Sequence, residues 1–241
     1  MAQGELRGVV ALDGPSGTGK STVARRLAMM LSTGYLDTGA MYRAVTLAVL
    51  RAGVDLADEP AMTLTAAGSR LTIGTDPRRY RVLLDGADVT TEIRGPEVTA
   101  AVSAVSAVPE IRELLVVEQR RIIACVLESS GGIVVEGRDI GSVVVPDAPL
   151  KVYLTASADA RARRRTRQDV AAGRRSTVDG TKADVQRRDL ADSTRAASPL
   201  RPAEDAVELD TTALNVGEVL TALLSMVDSR GLRNIPEGTV R

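Results

Sequence analysis

The chain has 241 residues, and 31 Lys and Arg balance 31 Asp and Glu, so no net charge draws it to nucleic acid or to an anionic membrane. It holds no histidine and a single cysteine, which excludes Ser-His-Asp and Cys-His catalysis, an internal disulfide and a histidine-based zinc site. Chemistry by carboxylate, Arg, Lys, hydroxyl, backbone and metal remains. No charged-then-apolar leader opens the chain and no stretch approaches about 18 uninterrupted apolar residues, so a cytoplasmic protein is expected.

In chain order, the apolar run 9–12 reads as a short buried strand, and Val23, Leu27 and Met30 are spaced as one face of a helix. Between them lies Gly14-Pro15-Ser16-Gly17-Thr18-Gly19-Lys20-Ser21, which fits the phosphate-loop pattern G-x-x-x-x-G-K-[ST] in the strand–loop–helix context that pattern requires. Glycines let backbone N–H groups wrap around phosphate oxygens, and the helix that follows presents its positive end to the same anion. Residues 14–22, through Thr22, are expected to hold ATP, with Lys20 bridging the β- and γ-phosphates and Ser21 giving a hydroxyl ligand to Mg²⁺.

Tyr35, Leu36 and Asp37 suggest a second short strand, followed by a helix over 40–51 that ends near Gly53. Short strands at 71–73 and 80–84, with Asp85-Gly86 as a tight turn, suggest a small antiparallel lobe. Cys125, inside the apolar run 122–127, reads as a buried thiol. Runs at 133–136, 150–154 and 206–209 resemble buried parallel strands. Residues 160–188 are dominated by arginine, including Arg161, Arg163, Arg164, Arg165, Arg167, Arg174, Arg175, Arg187 and Arg188, with Gly173 and Gly180 interrupting two helical segments. A basic flap in a neutral protein needs an anion to face. From Gly231 onward a frayed tail is expected.

Strands alternating with helices predict an α/β layered fold. The expected division is a core of 1–57, 95–158 and 190–230, an inserted lobe over 58–94, an Arg-rich lid over 159–189 and a tail over 231–241. The phosphate loop fixes the ligand class and not the reaction. A GTPase normally carries N-K-x-D, and neither Asn215 nor Asn234 is followed by Lys. A kinase needs a second pocket, which the lobe and flap offer. A P-loop ATP-binding regulator whose Arg-rich segment contacts RNA or a partner protein is the rival from another class, but aromatic residues make up only 2% of the chain, leaving few stacking platforms for single strands.

Asp37-Thr38-Gly39-Ala40-Met41-Tyr42-Arg43, Glu136-Gly137-Arg138-Asp139-Ile140-Gly141 and Ala196-Ala197-Ser198-Pro199-Leu200, taken with the phosphate loop, closely resemble the bacterial cytidylate kinases. The resemblance implies a P-loop fold: a five-stranded parallel sheet with helices on both faces, an acceptor lobe and a helical lid. It implies transfer of the γ-phosphoryl group of ATP to CMP or dCMP, with a UMP/CMP, adenylate or shikimate-type kinase as the nearest alternatives. Carried over position by position, Arg43, Arg138 and Arg188 match arginines that grip the acceptor phosphate. Ser103, Arg112 and Asp139 match readers of the cytosine ring, Asp192 and Arg195 match the pair on the sugar, and Tyr42 joins the acceptor site. A one-repeat slip would put Ser106 in place of Ser103. Asp37 either orients a magnesium-bound water or caps the next helix. Arg161 and Arg165 are the lid arginines expected to reach the γ-phosphate. Partners are expected to be the small nucleotides alone, with no nucleic acid or membrane, and the chain is expected to be a monomer.

Overall fold

The computed structural model describes residues 5–171, 173, 177–195 and 197–234. Arg174, Arg175 and Ala196 lie outside the described residues, as do the last seven positions of the expected tail. β1 (Glu5–Leu6) leads into β2 (Gly8–Asp13), and the phosphate loop joins β2 to α1 (Lys20–Met30). β3 (Gly34–Asp37) passes directly into α2 (Thr38–Arg51), which is followed by α3 (Glu59–Gly68). The short strands β4 (Leu71–Ile73), β5 (Val82–Leu84) and β6 (Ala87–Asp88) come next, then α4 (Pro96–Val105) and α5 (Pro109–Ser130). β7 (Gly132–Glu136) ends in a π-helical turn, Ile140–Val144, before β8 (Leu150–Thr155). α6 (Ala158–Ala171), α7 (Val178–Thr194), β9 (Val207–Asp210), α8 (Val216–Ser229) and β10 (Arg233–Asn234) complete the order.

β3, β7, β2, β8 and β9 form, in that order, the five-stranded parallel sheet that the resemblance implied. Successive side chains of a strand point to opposite faces, so each strand feeds two cores. Val9, Ala11, Leu36, Ile133 and Val135 join one cluster with Met41 and Val45 of α2 and Ile111 and Leu115 of α5. Val10, Leu12, Tyr35, Val134 and Val152 join another with Val23 and Leu27 of α1 and Leu223 and Val227 of α8. Near-continuous Val, Ile and Leu runs are what burial on both faces demands. α8 is fixed at its start by a capping box between Asn215 and Glu218.

β4, β5 and β6 make a three-stranded antiparallel sheet, turned at Asp85 (φ 50°) and Gly86 (φ 85°). Positive φ at both central residues is what a tight two-residue hairpin requires. The inserted stretch is not wholly antiparallel, because α3 precedes these strands and buries Met62 in the core they share.

Four local expectations are corrected. Cys125 is exposed, because Ile122, Ile123 and Val126 form the buried face of α5 and Cys125 falls about 100° away from it. Gly180 does not interrupt a helix; it lies in the first turn of α7, where its N–H is accepted by the Thr177 hydroxyl that caps that turn. The second lid helix also runs past residue 189 to Thr194. The expected tail contains β10, which pairs antiparallel with β1. Among the described residues, no helix is long and apolar enough to cross a membrane.

Candidate active site

The carboxyl ends of β2, β3 and β7 converge on one side of the sheet, where parallel α/β folds bind their ligands. The chain leaves β2 through Gly14, whose φ of 140° places a notional Cβ 2.1 Å from the carbonyl oxygen of Leu154. Only glycine fits there. Gly19, left-handed at φ 97°, starts α1 without a side-chain cap, so the first amides of the helix are left for an anion. Lys20 is buried and donates to the carbonyls of Gly14 at 2.6 Å and Pro15 at 2.7 Å. Burial, followed by the charge of Arg138, pulls the Lys20 ammonium well below its ordinary pKa.

Asp37 and Glu136 close β3 and β7. Asp37 caps α2, accepting from Ala40 N–H at 3.0 Å, and its other oxygen pairs with Arg94 at 2.9 Å. Of the two readings of Asp37, the cap is therefore present. Glu136 accepts from the Ser21 hydroxyl at 2.9 Å and from the Tyr35 phenol. Burial, together with the charge of Asp37, pushes the Glu136 carboxyl up to about 7. Tyr80 lies in the connection between β4 and β5, since the strand expected from residue 80 starts only at Val82, and it meets Tyr35 edge-on, with ring centroids 5.5 Å apart.

From these groups a cleft of about 800 Å³ extends between α4 and the lid helices. Arg43, Arg138, Arg165 and Arg188 all line it. Burial, followed by the neighbouring Arg188 and Arg94, lowers Arg43 to about 9. Burial and Arg138 lower Arg188 to about 10. Guanidinium groups that depress one another in this way form a site short of negative charge, and planar donors of this kind suit a phosphate. Arg138 leans on Asp192 at 3.1 Å, and Arg195 is 3.8 Å from the same carboxylate. Deeper in, Arg112 and Asp139 form an ion pair with side chains only 3% and 5% exposed, and the Arg112 guanidinium lies 5.1 Å from the centre of the Tyr42 ring. Ser103 and Ser106 both line the cleft, but the Ser106 hydroxyl turns back to the Ser103 carbonyl at 3.3 Å.

α6 and α7 reach the phosphate loop directly. Asp189 accepts from the Ser16 N–H at 3.3 Å, and Arg161 bonds both Asp189 and the Ser16 carbonyl. Arg164 reaches the Thr18 carbonyl at 3.2 Å. Of the residues assigned from sequence to the nucleotide sites, Gly14, Pro15, Thr18 and Arg161 are outside the cleft lining and all the others line it, whereas Arg163, Arg164, Arg167 and Arg187 of the basic flap do not.

The cytidylate kinase family profile matches residues 10–229. A cytidylate kinase of Rhodococcus opacus is 60% identical over 222 residues, covering 92% of this chain and 95% of its own. One from Nocardia farcinica is 60% identical over 219 residues, 91% of this chain and 93% of its own. One from Corynebacterium diphtheriae is 50% identical over 233 residues, 97% of this chain and 99% of its own. This chain belongs to the cytidylate kinase family. A crystal structure of an uncharacterized protein from Eubacterium ventriosum, at 10% identity and a TM-score of 0.51 over 92% of this chain and 99% of that one, shares the fold alone.

Within this member of the cytidylate kinase family, sequence reasoning passed over Arg94, Tyr80, the Glu136 side chain and Asp13. Arg94, Tyr80 and Asp13 stand in no obvious local pattern, Glu136 opens the motif that runs to Gly141 without a role having been given to its side chain, and the partners of all four lie far along the chain. Asp13 is the most isolated in sequence, with its two oxygens accepting from Ile140 N–H at 2.9 Å and Gly141 N–H at 2.8 Å. Burial, with the nearby charge of Asp139, raises its carboxyl from 3.8 to about 6, against the pull of those two amides and of Lys20. Folding thus makes Asp13 hold its proton more tightly, so its contribution to stability is fullest below pH 3.8 and is lost as pH climbs through about 6. Between pH 4 and pH 7 the wild type should lose roughly 3 kcal/mol relative to Asp13→Asn, a shift of about two units. Urea unfolding of both proteins across that range checks this, and a constant gap between them would contradict it.

Proposed function

We propose that this kinase transfers the γ-phosphoryl group of ATP to CMP or dCMP, giving ADP and CDP or dCDP. The observation that carries the reading is a single cleft holding a phosphate loop at one end and a carboxylate–guanidinium pair buried 3–5% exposed at the other, with Arg43, Arg138 and Arg188 between them. Lys20 and the loop amides hold the donor phosphates. Arg43, Arg138 and Arg188 hold the acceptor phosphate in line, and Arg94 stands beside them. Arg165 faces the γ-phosphate from the lid, while Arg161 braces the loop from which transfer starts. Phosphoryl transfer asks for alignment and charge compensation rather than covalent help, and the acceptor oxygen is already ionised, so no general base is needed.

Asp139 and Arg112, with Ser103, read the cytosine edge. Cytosine offers an exocyclic amine donor where uracil offers a carbonyl acceptor, so a carboxylate accepts from the first and repels the second. Asp192 and Arg195 contact the sugar, and Tyr42 lies beneath Arg112. Ser21 and Glu136 supply the hard oxygen donors that suit Mg²⁺, which keeps most of its sites for phosphate oxygens and water. When bound, the ion offsets charge on the phosphates. The proposed setting is a cytoplasmic monomer with a core, an acceptor lobe over 58–94 and a lid built on α6 and α7 that excludes water as it closes.

Radiolabelled ATP incubated with CMP, dCMP, UMP and AMP tests the reading. Label is expected in CDP and dCDP, with UMP and AMP used about a hundredfold less well or worse. Equal use of UMP would remove the role given to Asp139. Transfer to none of the four would leave a P-loop regulator.

A further inference from the structure

The loop proposed to hold the phosphate donor and the segment proposed to read the acceptor are far apart in sequence, and one buried side chain joins them. Asp13 is the last residue of β2, and the phosphate loop starts at the next position. Its carboxylate is 6% exposed. It faces the turn Ile140–Val144, whose own bonding begins with Val143 and Val144 donating to the Asp139 carbonyl. The Ile140 and Gly141 amides therefore have no partner inside the turn, as at the start of any helix. Asp13 accepts one with each oxygen. The residues immediately before these amides are Arg138 and Asp139.

Asp139 is consequently held from two sides, its backbone by way of Asp13 and its side chain by Arg112. The demand on position 13 is specific. Two neighbouring donors need two acceptor atoms at one separation, which a carboxylate provides. An asparagine would turn an NH₂ towards one of the amides, and a glutamate would push the turn outward by a methylene. Gly141 has little room to follow, since a notional Cβ there already lies 3.0 Å from the Lys151 chain.

We propose that Asp13 is a positioning residue for acceptor recognition, fixing Arg138 and Asp139 at a set distance from the phosphate loop through the Ile140 and Gly141 amides. This rests on the reading of Arg138 and Asp139 as acceptor-binding groups. Asp13 is not among the residues that line the cleft, so its removal is expected to displace the acceptor site and leave the ATP cradle in place. A misplacement of about 1 Å at a reacting centre costs on the order of a hundredfold.

Steady-state kinetics of Asp13→Asn and Asp13→Glu with CMP, UMP and ATP carry the test. For both variants the KM for CMP should rise between about tenfold and a hundredfold, and the CMP:UMP ratio of kcat/KM should fall by a similar factor. The KM for ATP should stay within about twofold of wild type. Asp13→Glu keeps the charge and both oxygens, so it carries the measurement if Asp13→Asn does not fold. A parallel rise in both KM values, or lower turnover with the CMP:UMP ratio unchanged, would overturn the proposal and leave Asp13 a general support of the fold. Failure of the wild type to prefer CMP over UMP would instead count against the acceptor reading itself.

Discussion

On the proposed role of the lysine, which acts where charge gathers on the transferring group, Lys20→Ala is expected to lower kcat by roughly 10²–10³-fold or more while the protein stays folded. The fold should tolerate the change for a reason visible around the side chain. Lys20 is buried at a cost, its ammonium is held below its normal pKa by that burial and by Arg138, and its bonds go to carbonyls of its own loop. Removing it takes away a charge that the interior disfavours and leaves the glycine geometry of the loop intact. Initial rates with CMP, read beside circular dichroism and a thermal melt, give the answer. Near-normal turnover in a folded Lys20→Ala protein would rule out the phosphate cradle.

The second large effect is expected at Asp139. Asp139→Asn leaves the Arg112 guanidinium buried without its counter-charge, which typically costs about 3–5 kcal/mol of stability. On the proposed role, kcat/KM for CMP should also fall by about a hundredfold while UMP loses far less, so the preference collapses. Stability and recognition can be separated. In Arg112→Met/Asp139→Leu two apolar chains replace the pair, which should restore most of the stability because buried pairs and well-packed apolar substitutes are often equivalent. Selectivity should not return. A double variant that regained both would assign the pair to the fold alone.

What could be read from sequence follows the range over which each signal acts. The phosphate loop was legible because strand, glycines, lysine and helix lie within some 20 consecutive residues. β2, β7 and β8 were legible because burial on both faces writes itself as near-continuous apolar runs. β9 starts one position later than the expected 206 and, as an edge strand of the sheet, alternates half-buried residues with the exposed Glu208 and Asp210, where a buried strand was expected. The same signal fails inside a helix. The run around Cys125 is apolar throughout and does not say which side faces the core, so a thiol expected inside lies outside. Thr177 capping Gly180 shows the reverse case, a helix start that resembles a break.

The site was most legible where its residues sit in compact motifs, and beyond those motifs only through the resemblance, which gave Ser103, Arg112, Arg188, Asp192 and Arg195. Arg43, Arg138 and Asp139 stand in such motifs and all face the cleft. Arg94 meets Asp37 across 57 positions, and Asp13 meets Gly141 across 128. No periodicity or spacing encodes a contact between elements brought together by the sheet order, so these residues become visible only once that order is in place. The Arg161–Asp189 contact is similar: arginine-rich composition announces a basic lid, but not which of its arginines are tied down by carboxylates of the same lid.

β1 and β10 pair with Glu5 opposite Asn234 and Leu6 opposite Arg233, beside the point where β2 begins. The cleft opens where β2 ends, at the far side of the sheet. The chain therefore enters the described fold at Glu5 and leaves it at Asn234 side by side, so a domain fused beyond either strand starts from the end of the sheet opposite the cleft. Reporter domains attached beside the ribbon would sit a full sheet's length from the nucleotides.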